Sequence, residues 1–158
     1  MFFSSNNPAK AAFDLVVKTF KKNKWKYEAN KDKLQVKTIF SGDDLDMTLY
    51  ISIDEDRDLL RIYSFLPEDF PSDKIALGAF ATAAVNWKIA NGTFDYDVSD
   101  GTVMFRVVNS FRNCPMSMEI IDYLVHITVG TVDEYNDKLV DLAKGRMTLD
   151  LFMSAINN

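Results

Sequence analysis

The chain has 158 residues, 47% hydrophobic and 13% aromatic, with 18 basic against 23 acidic side chains and a formal charge of −5. Its length suits a single domain spanning residues 1–158, and its apolar content excludes a disordered chain. Cys114 is the only cysteine, which excludes an internal disulfide and suits a reducing cytoplasm. The apolar runs fall far short of the ~20 residues of a membrane-spanning helix, and no signal-peptide pattern opens the chain, so no membrane role is expected. Eight lysines gather between Lys18 and Lys37, but the negative whole argues against nucleic acid as a partner. Such a run also suits a solvated helix end, where lysines complement the helix dipole.

Asn7-Pro8 is a helix start, and Phe13, Val16, Val17 and Phe20 follow at helical spacing, predicting a helix from about Pro8 to about Lys24. Three strands come next. Leu34, Val36, Thr38 and Phe40 alternate with polar residues. After the Ser41-Gly42-Asp43-Asp44 turn, Leu45 to Asp54 alternates strictly, as a strand with one buried face does. Beyond the Glu55-Asp56-Arg57-Asp58 turn, Leu59 to Leu66 is apolar on both faces. Short turns between them predict an antiparallel meander.

Ser72 is a candidate cap for a second helix rich in Ala and Gly, with Ile75, Phe80, Trp87 and Ile89 expected to fill gaps and Asn91-Gly92 to end it. Strands Thr93–Val98 and Thr102–Val108 then form a hairpin turning at Ser99-Asp100-Gly101. Ser117 is placed to cap a third helix. Gly130, with the Thr131 to Glu134 capping-box pattern, leaves open one kinked helix or two in line. Gly145 is a stop, and Thr148 caps a last short helix bearing Leu149, Phe152 and Ile156. The order is α-β-β-β-α-β-β-α with a tail: an α+β fold, a three-strand meander plus a hairpin packed with helices.

Reactive chemistry is sparse. His126 is the single histidine and sits in an apolar helical context, while Cys114 has no local base to lower its pKa. Asp54, Asp56 and Asp58 begin with the spacing of a calcium loop. Leu59 and Phe65 stand where that loop needs glycine and glutamate. No phosphate-binding glycine motif is present. No catalytic, cofactor-binding or metal residue is assigned.

What remains is apolar side chains where a strand should face water. Ile39 and Tyr50 lie on polar faces of their strands, and either Leu59, Tyr63 and Phe65 or Leu60, Ile62 and Leu66 must do the same. Ile39, Tyr50, Tyr63 and Phe65 are therefore the candidate partner-binding residues, for a protein or peptide or a second copy of the chain. Phe2, Phe3, Phe152 and Met153 add apolar residues near the ends, and a terminal segment of the same chain is the other candidate to cover that face. A cleft between sheet and helices, holding a small molecule near His126 or the acidic hairpin, is the alternative function.

At Asn86, Gly92-Thr93-Phe94, Asp97, Asp100-Gly101-Thr102-Val103 and Phe105-Arg106 the chain resembles the YbjN family of bacterial sensory-transduction regulators. The likeness continues at Glu119-Ile120-Ile121, Thr131, Glu134-Tyr135 and Gly145, covering about residues 83–147. Families of this kind are similar in fold to type III secretion chaperones. The resemblance implies a non-enzymatic, cytoplasmic, homodimeric binding protein, and it supplies no catalytic residues. Gly130 departs from the uninterrupted final helix of that pattern.

Overall fold

A computed structural model describes residues 7–114 and 116–157; Phe2 and Phe3 lie outside them. The first helix, α1 (Pro8–Lys22), starts where Asn7 Oδ1 accepts the backbone N–H groups of Ala9 and Lys10, at 2.9 and 3.2 Å. It buries Ala9, Ala12, Phe13, Val16 and Phe20 and stops two residues before the expected end, where Lys24 turns into the left-handed region at φ +56°.

A short strand absent from the sequence reading follows, β1 (Glu28–Asn30). All three of its residues are exposed, so no alternation of apolar and polar residues marks it. Then come β2 (Gln35–Ser41), β3 (Asp46–Asp54) and β4 (Leu59–Phe65), each antiparallel to the one before. On β4 the inward set is Leu60, Ile62 and Ser64, so Leu59, Tyr63 and Phe65 face outward. That settles which of the two sets points away from the core.

The second helix departs from expectation at both ends. Ser72 makes no side-chain cap; Ser72–Lys74 is a single 3-10 turn, and α2 runs from Ile75 to Asn86 rather than to Asn91. Its buried stripe is Gly78, Ala81, Thr82 and Val85, while Phe80 and Trp87 are 51% and 90% exposed. These two aromatics were expected to fill gaps and do not. The reason is the closeness of the helix to the sheet: a Cβ on Gly78 would stand 2.4 Å from Tyr96 Oη. Only small side chains fit beneath the helix, and the large ones are left on its far side.

The hairpin comprises β5 (Thr93–Tyr96) and β6 (Val103–Ser110), and the sheet order is β1-β2-β3-β4-β6-β5. The chain thus crosses past β4 to lay down an edge strand and returns between the two. At the edge, Asn86 replaces a further strand. Its side chain accepts from Phe94 N at 2.8 Å and donates to Phe94 O at 3.0 Å.

The third helix is continuous, α3 (Met118–Ala143), with Ser117 Oγ accepting Ile120 N at 3.3 Å. Gly130 lies within it in open space, and Thr131 is a buried helical residue rather than a cap. At 26 residues α3 is about 39 Å long, enough to cross the sheet. It buries Ile121, Leu124, Val125, Val132, Tyr135, Leu139 and Leu142, and α1 packs beside it on the same sheet face. The last helix, α4 (Leu149–Asn157), packs on α3 through Phe152 and Ile156, with Leu151 N bonded to Thr148 Oγ1 as expected of a cap. The order is α-β-β-β-β-α-β-β-α-α, an α+β fold with an antiparallel sheet and its helices on one face.

Two predictions follow from this packing. Gly101 has φ +85°, and a Cβ there would lie 2.0 Å from Phe70 O, so Gly101→Ala is expected to lower unfolding stability by at least about 2 kcal/mol in a urea titration. Tyr135 is 94% buried, and burial followed by the neighbouring Glu134 pushes its phenol up to about 12. The folded chain then holds a proton that the unfolded chain loses near pH 10, so stability falls as pH rises from about 10 to 12. Tyr135→Phe should flatten that slope in urea midpoints taken across the range.

Candidate functional site

Period-two alternation gives the sheet two unlike faces. The inner face presents Val36, Leu49, Ile51, Leu60, Ile62, Phe105 and Val107 to the helices, all nearly fully buried. The outer face presents the intervening residues, and among the described residues no helix packs on it. The register aligns them in rows. Lys37, Tyr50, Tyr63, Arg106 and Thr93 form one row across five strands. Beside it, Ile39 pairs with Thr48 on one side of the sheet, and Phe65 pairs with Met104 and Met104 with Asp95 on the other.

Tyr50 and Tyr63 stack with ring centroids 5.4 Å apart and planes 18° from parallel. Phe65 meets Tyr63 edge-on at 5.9 Å. The three aromatics are one cluster, with Phe65 49% exposed and the two tyrosines half-buried. Ile39 is 60% exposed but stands two strands from Phe65, about 10 Å away across Thr48. Of the four expected residues the structure therefore joins three and places the fourth on the same face.

Polar groups fix this cluster from its borders. Gln35 Nε2 donates to Tyr63 Oη at 3.1 Å, and Lys37 Nζ lies 5.9 Å above the Tyr50 ring. Arg106 donates to both carboxylate oxygens of Asp95, at 2.6 and 3.2 Å, and this pairing raises the already high pKa of its guanidinium. Asp54 pairs with Arg61 on the adjacent strand. These charges neutralise one another in place, leaving the apolar surface between them.

The titratable groups considered for reactivity, Cys114 apart, make local hydrogen bonds or ion pairs. His126 Nδ1 lies 2.9 Å from Asp122 O, and its exposed ring meets Trp25 edge-on at 5.4 Å. Asp97 accepts from the backbone and hydroxyl of Ser99 inside the hairpin turn, which lowers its pKa. Asp54 caps the following turn through Arg57 N, and Asp58 pairs with Arg112 at 2.9 Å. Cys114 is an exposed thiol at a shallow apolar cleft beside Ala11, Leu15 and Met116. The terminal helix α4 lies on α3, on the opposite side of the sheet from the aromatic cluster.

The sequence reading missed the exposed helical aromatics Phe80 and Trp87. Their spacing of seven, opposite the small residues at 78, 81, 82 and 85, carries the signal.

In fold, this antiparallel sheet with its helices on one face is YbjN-like and similar to a chain of the ExsC-ExsE complex. Among solved structures it matches YbjN from E. coli, described as a candidate transcription regulator, with a TM-score of 0.60 and 11% identity over 84% of this chain and 92% of that one. A chain of the ExsC-ExsE complex matches with a TM-score of 0.60 and 13% identity, over 83% of this chain and 95% of that one. A chain of the HopA1-SchA chaperone-effector complex aligns at a TM-score of 0.48 and 16% identity, over 92% and 97%. At these identities the likeness is one of fold. No family model matches the chain, and no curated protein matches it by sequence.

The Tyr50–Tyr63 stack is expected to couple the two strands by about 0.5–1 kcal/mol beyond the area each ring buries. A double-mutant cycle with Tyr50→Ala and Tyr63→Ala, read by urea unfolding, measures it.

Proposed function

We propose that residues 1–158 act as one non-enzymatic protein-binding domain, chaperone-like or regulatory, whose outer sheet face receives a segment of a partner protein. The observation that carries this reading is the Tyr50, Tyr63 and Phe65 cluster, left without a helix on a face bordered by ion pairs. Burying one large aromatic side chain contributes roughly 1.5–3 kcal/mol, so a partner covering Phe65 and its neighbours gains substantially. Two further observations support the reading. The structure matched by fold in the ExsC-ExsE complex is that of a protein bound to another protein, and Asp97 and His126 are held by hydrogen bonds within their own turn and helix here.

The chain is proposed to work as a homodimer in a bacterial cytoplasm. Exposed aromatics away from the sheet face, Trp87 just past the end of α2 and Tyr123 on α3, offer further apolar contacts. Asn91 Nδ2 donates to Tyr123 Oη at 3.4 Å, tying the segment after α2 to α3. Among the described residues no helix is long and apolar enough to cross a membrane.

Affinity capture from bacterial lysate with the wild-type chain and with Phe65→Glu tests the sheet face. The partner is expected to be retained at least about tenfold less by the variant, with unchanged far-UV circular dichroism. Equal retention by both proteins would remove the sheet face from consideration. Light scattering on the purified chain checks the dimer.

A further inference from the structure

Charge is unevenly distributed over this molecule. The eight lysines between Lys18 and Lys37 share their segment with only Glu28 and Asp32, whereas the remainder of the chain is strongly acidic. Elsewhere six of the ten cations, Arg61, Arg106, Arg112, Lys138, Lys144 and Arg146, each meet a carboxylate. The lysines around β1 do not. Lys18, Lys21, Lys26, Lys31 and Lys37 are all exposed, and none forms an ion pair among the described residues.

The fold gathers these five around two adjoining grooves that share Tyr27 as a wall. Between α1 and β1 lies a groove of about 360 Å³, floored by Phe13, Val17 and Tyr27, with Lys18, Lys21 and Lys31 at its rim beside a single acid, Asp14. Around the strand, Lys26, Lys37 and the exposed Ile39 line the second, of about 320 Å³, with Glu28. Tyr27 is held by the core, its ring 5.6 Å from that of Phe20 and nearly perpendicular to it. Like charges crowded round a fixed apolar floor repel one another, and an anionic ligand relieves that repulsion.

We propose that this lysine-rimmed groove takes an acidic, extended segment of a protein partner, with carboxylates at the lysines and apolar side chains on the Phe13–Val17–Tyr27 floor. The grooves adjoin the outer sheet face at Lys37 and Ile39 and include none of Tyr50, Tyr63 and Phe65. A peptide fits better than a nucleic acid for two reasons. Duplex DNA carries a charge every ~1.7 Å and would meet Asp14, Glu28 and Asp32 as well as the lysines, whereas a peptide spaces its carboxylates. The groove floor is also apolar, which suits side chains rather than a phosphate backbone.

The test is fluorescence anisotropy with a labelled peptide of about twelve residues alternating glutamate and valine, against the same peptide with lysine in place of glutamate. Saturable binding of the glutamate peptide alone is expected, weakening when salt rises from about 50 to about 300 mM. Combining Lys18→Glu, Lys21→Glu and Lys31→Glu, exposed positions whose folding circular dichroism checks, should weaken it at least about tenfold. Phe65→Glu should leave it unchanged, which separates this surface from the sheet-face reading. Absence of saturable binding, equal affinity for the triple variant, or tighter binding of a twenty-base-pair duplex at the same salt would each overturn the proposal.

Discussion

The stripe of α3 laid against the inner face of β3, β4 and β6 organises everything else in this molecule. Ile121, Leu124, Val125, Val132, Tyr135, Leu139 and Leu142 occupy one side of a helix that crosses the sheet, and the remaining helices arrange themselves around it. With α1 packed beside α3, α2 on β5 and α4 on α3, the helical layer lies entirely to one side. The consequence for function is simple. Among the described residues nothing covers the opposite face, which leaves the apolar side chains there open to contact.

That one-sidedness is also why the protein is best described by its surfaces. A cleft chemistry would need titratable groups converging on a space. Here His126 and Asp97 bond within the helix and turn that carry them, Asp54 caps the turn after β3, and Asp58 pairs with Arg112. The outer face and the lysine-rimmed groove are instead broad, shallow and made of side chains suited to contact. Two surfaces of different character, one aromatic and one cationic, meet near Lys37 and Ile39.

Much of this was legible in the chain itself, for identifiable reasons. β3 announces itself because one face is buried throughout, so every second residue from Met47 to Ile53 is apolar. The outward placement of Ile39, Tyr50, Tyr63 and Phe65 follows from the same period, once Leu60 and Ile62 are known to face the helices. β1 was invisible because all of its residues are exposed and its pairing rests on backbone bonds alone. The length of α2 was misjudged because Asn86 resembles any helical residue, yet its side chain leaves the helix to serve Phe94. Gly130 suggested a break, but tertiary packing on both sides of it outweighs the roughly 1 kcal/mol that a glycine costs a helix.

Asn86 has one more implication. A primary amide offers a donor and an acceptor side by side, as a peptide unit does, and here it occupies the place of a seventh strand. Exchanging its NH₂ for an oxygen would set a carboxylate against the Phe94 carbonyl and lose the donor that the carbonyl meets here. At Phe94 the β5 border of the sheet is thus occupied from within the same chain. A strand from another molecule laid along that border would have to displace Asn86 to reach the Phe94 backbone, so one side chain makes edge-to-edge association there costlier.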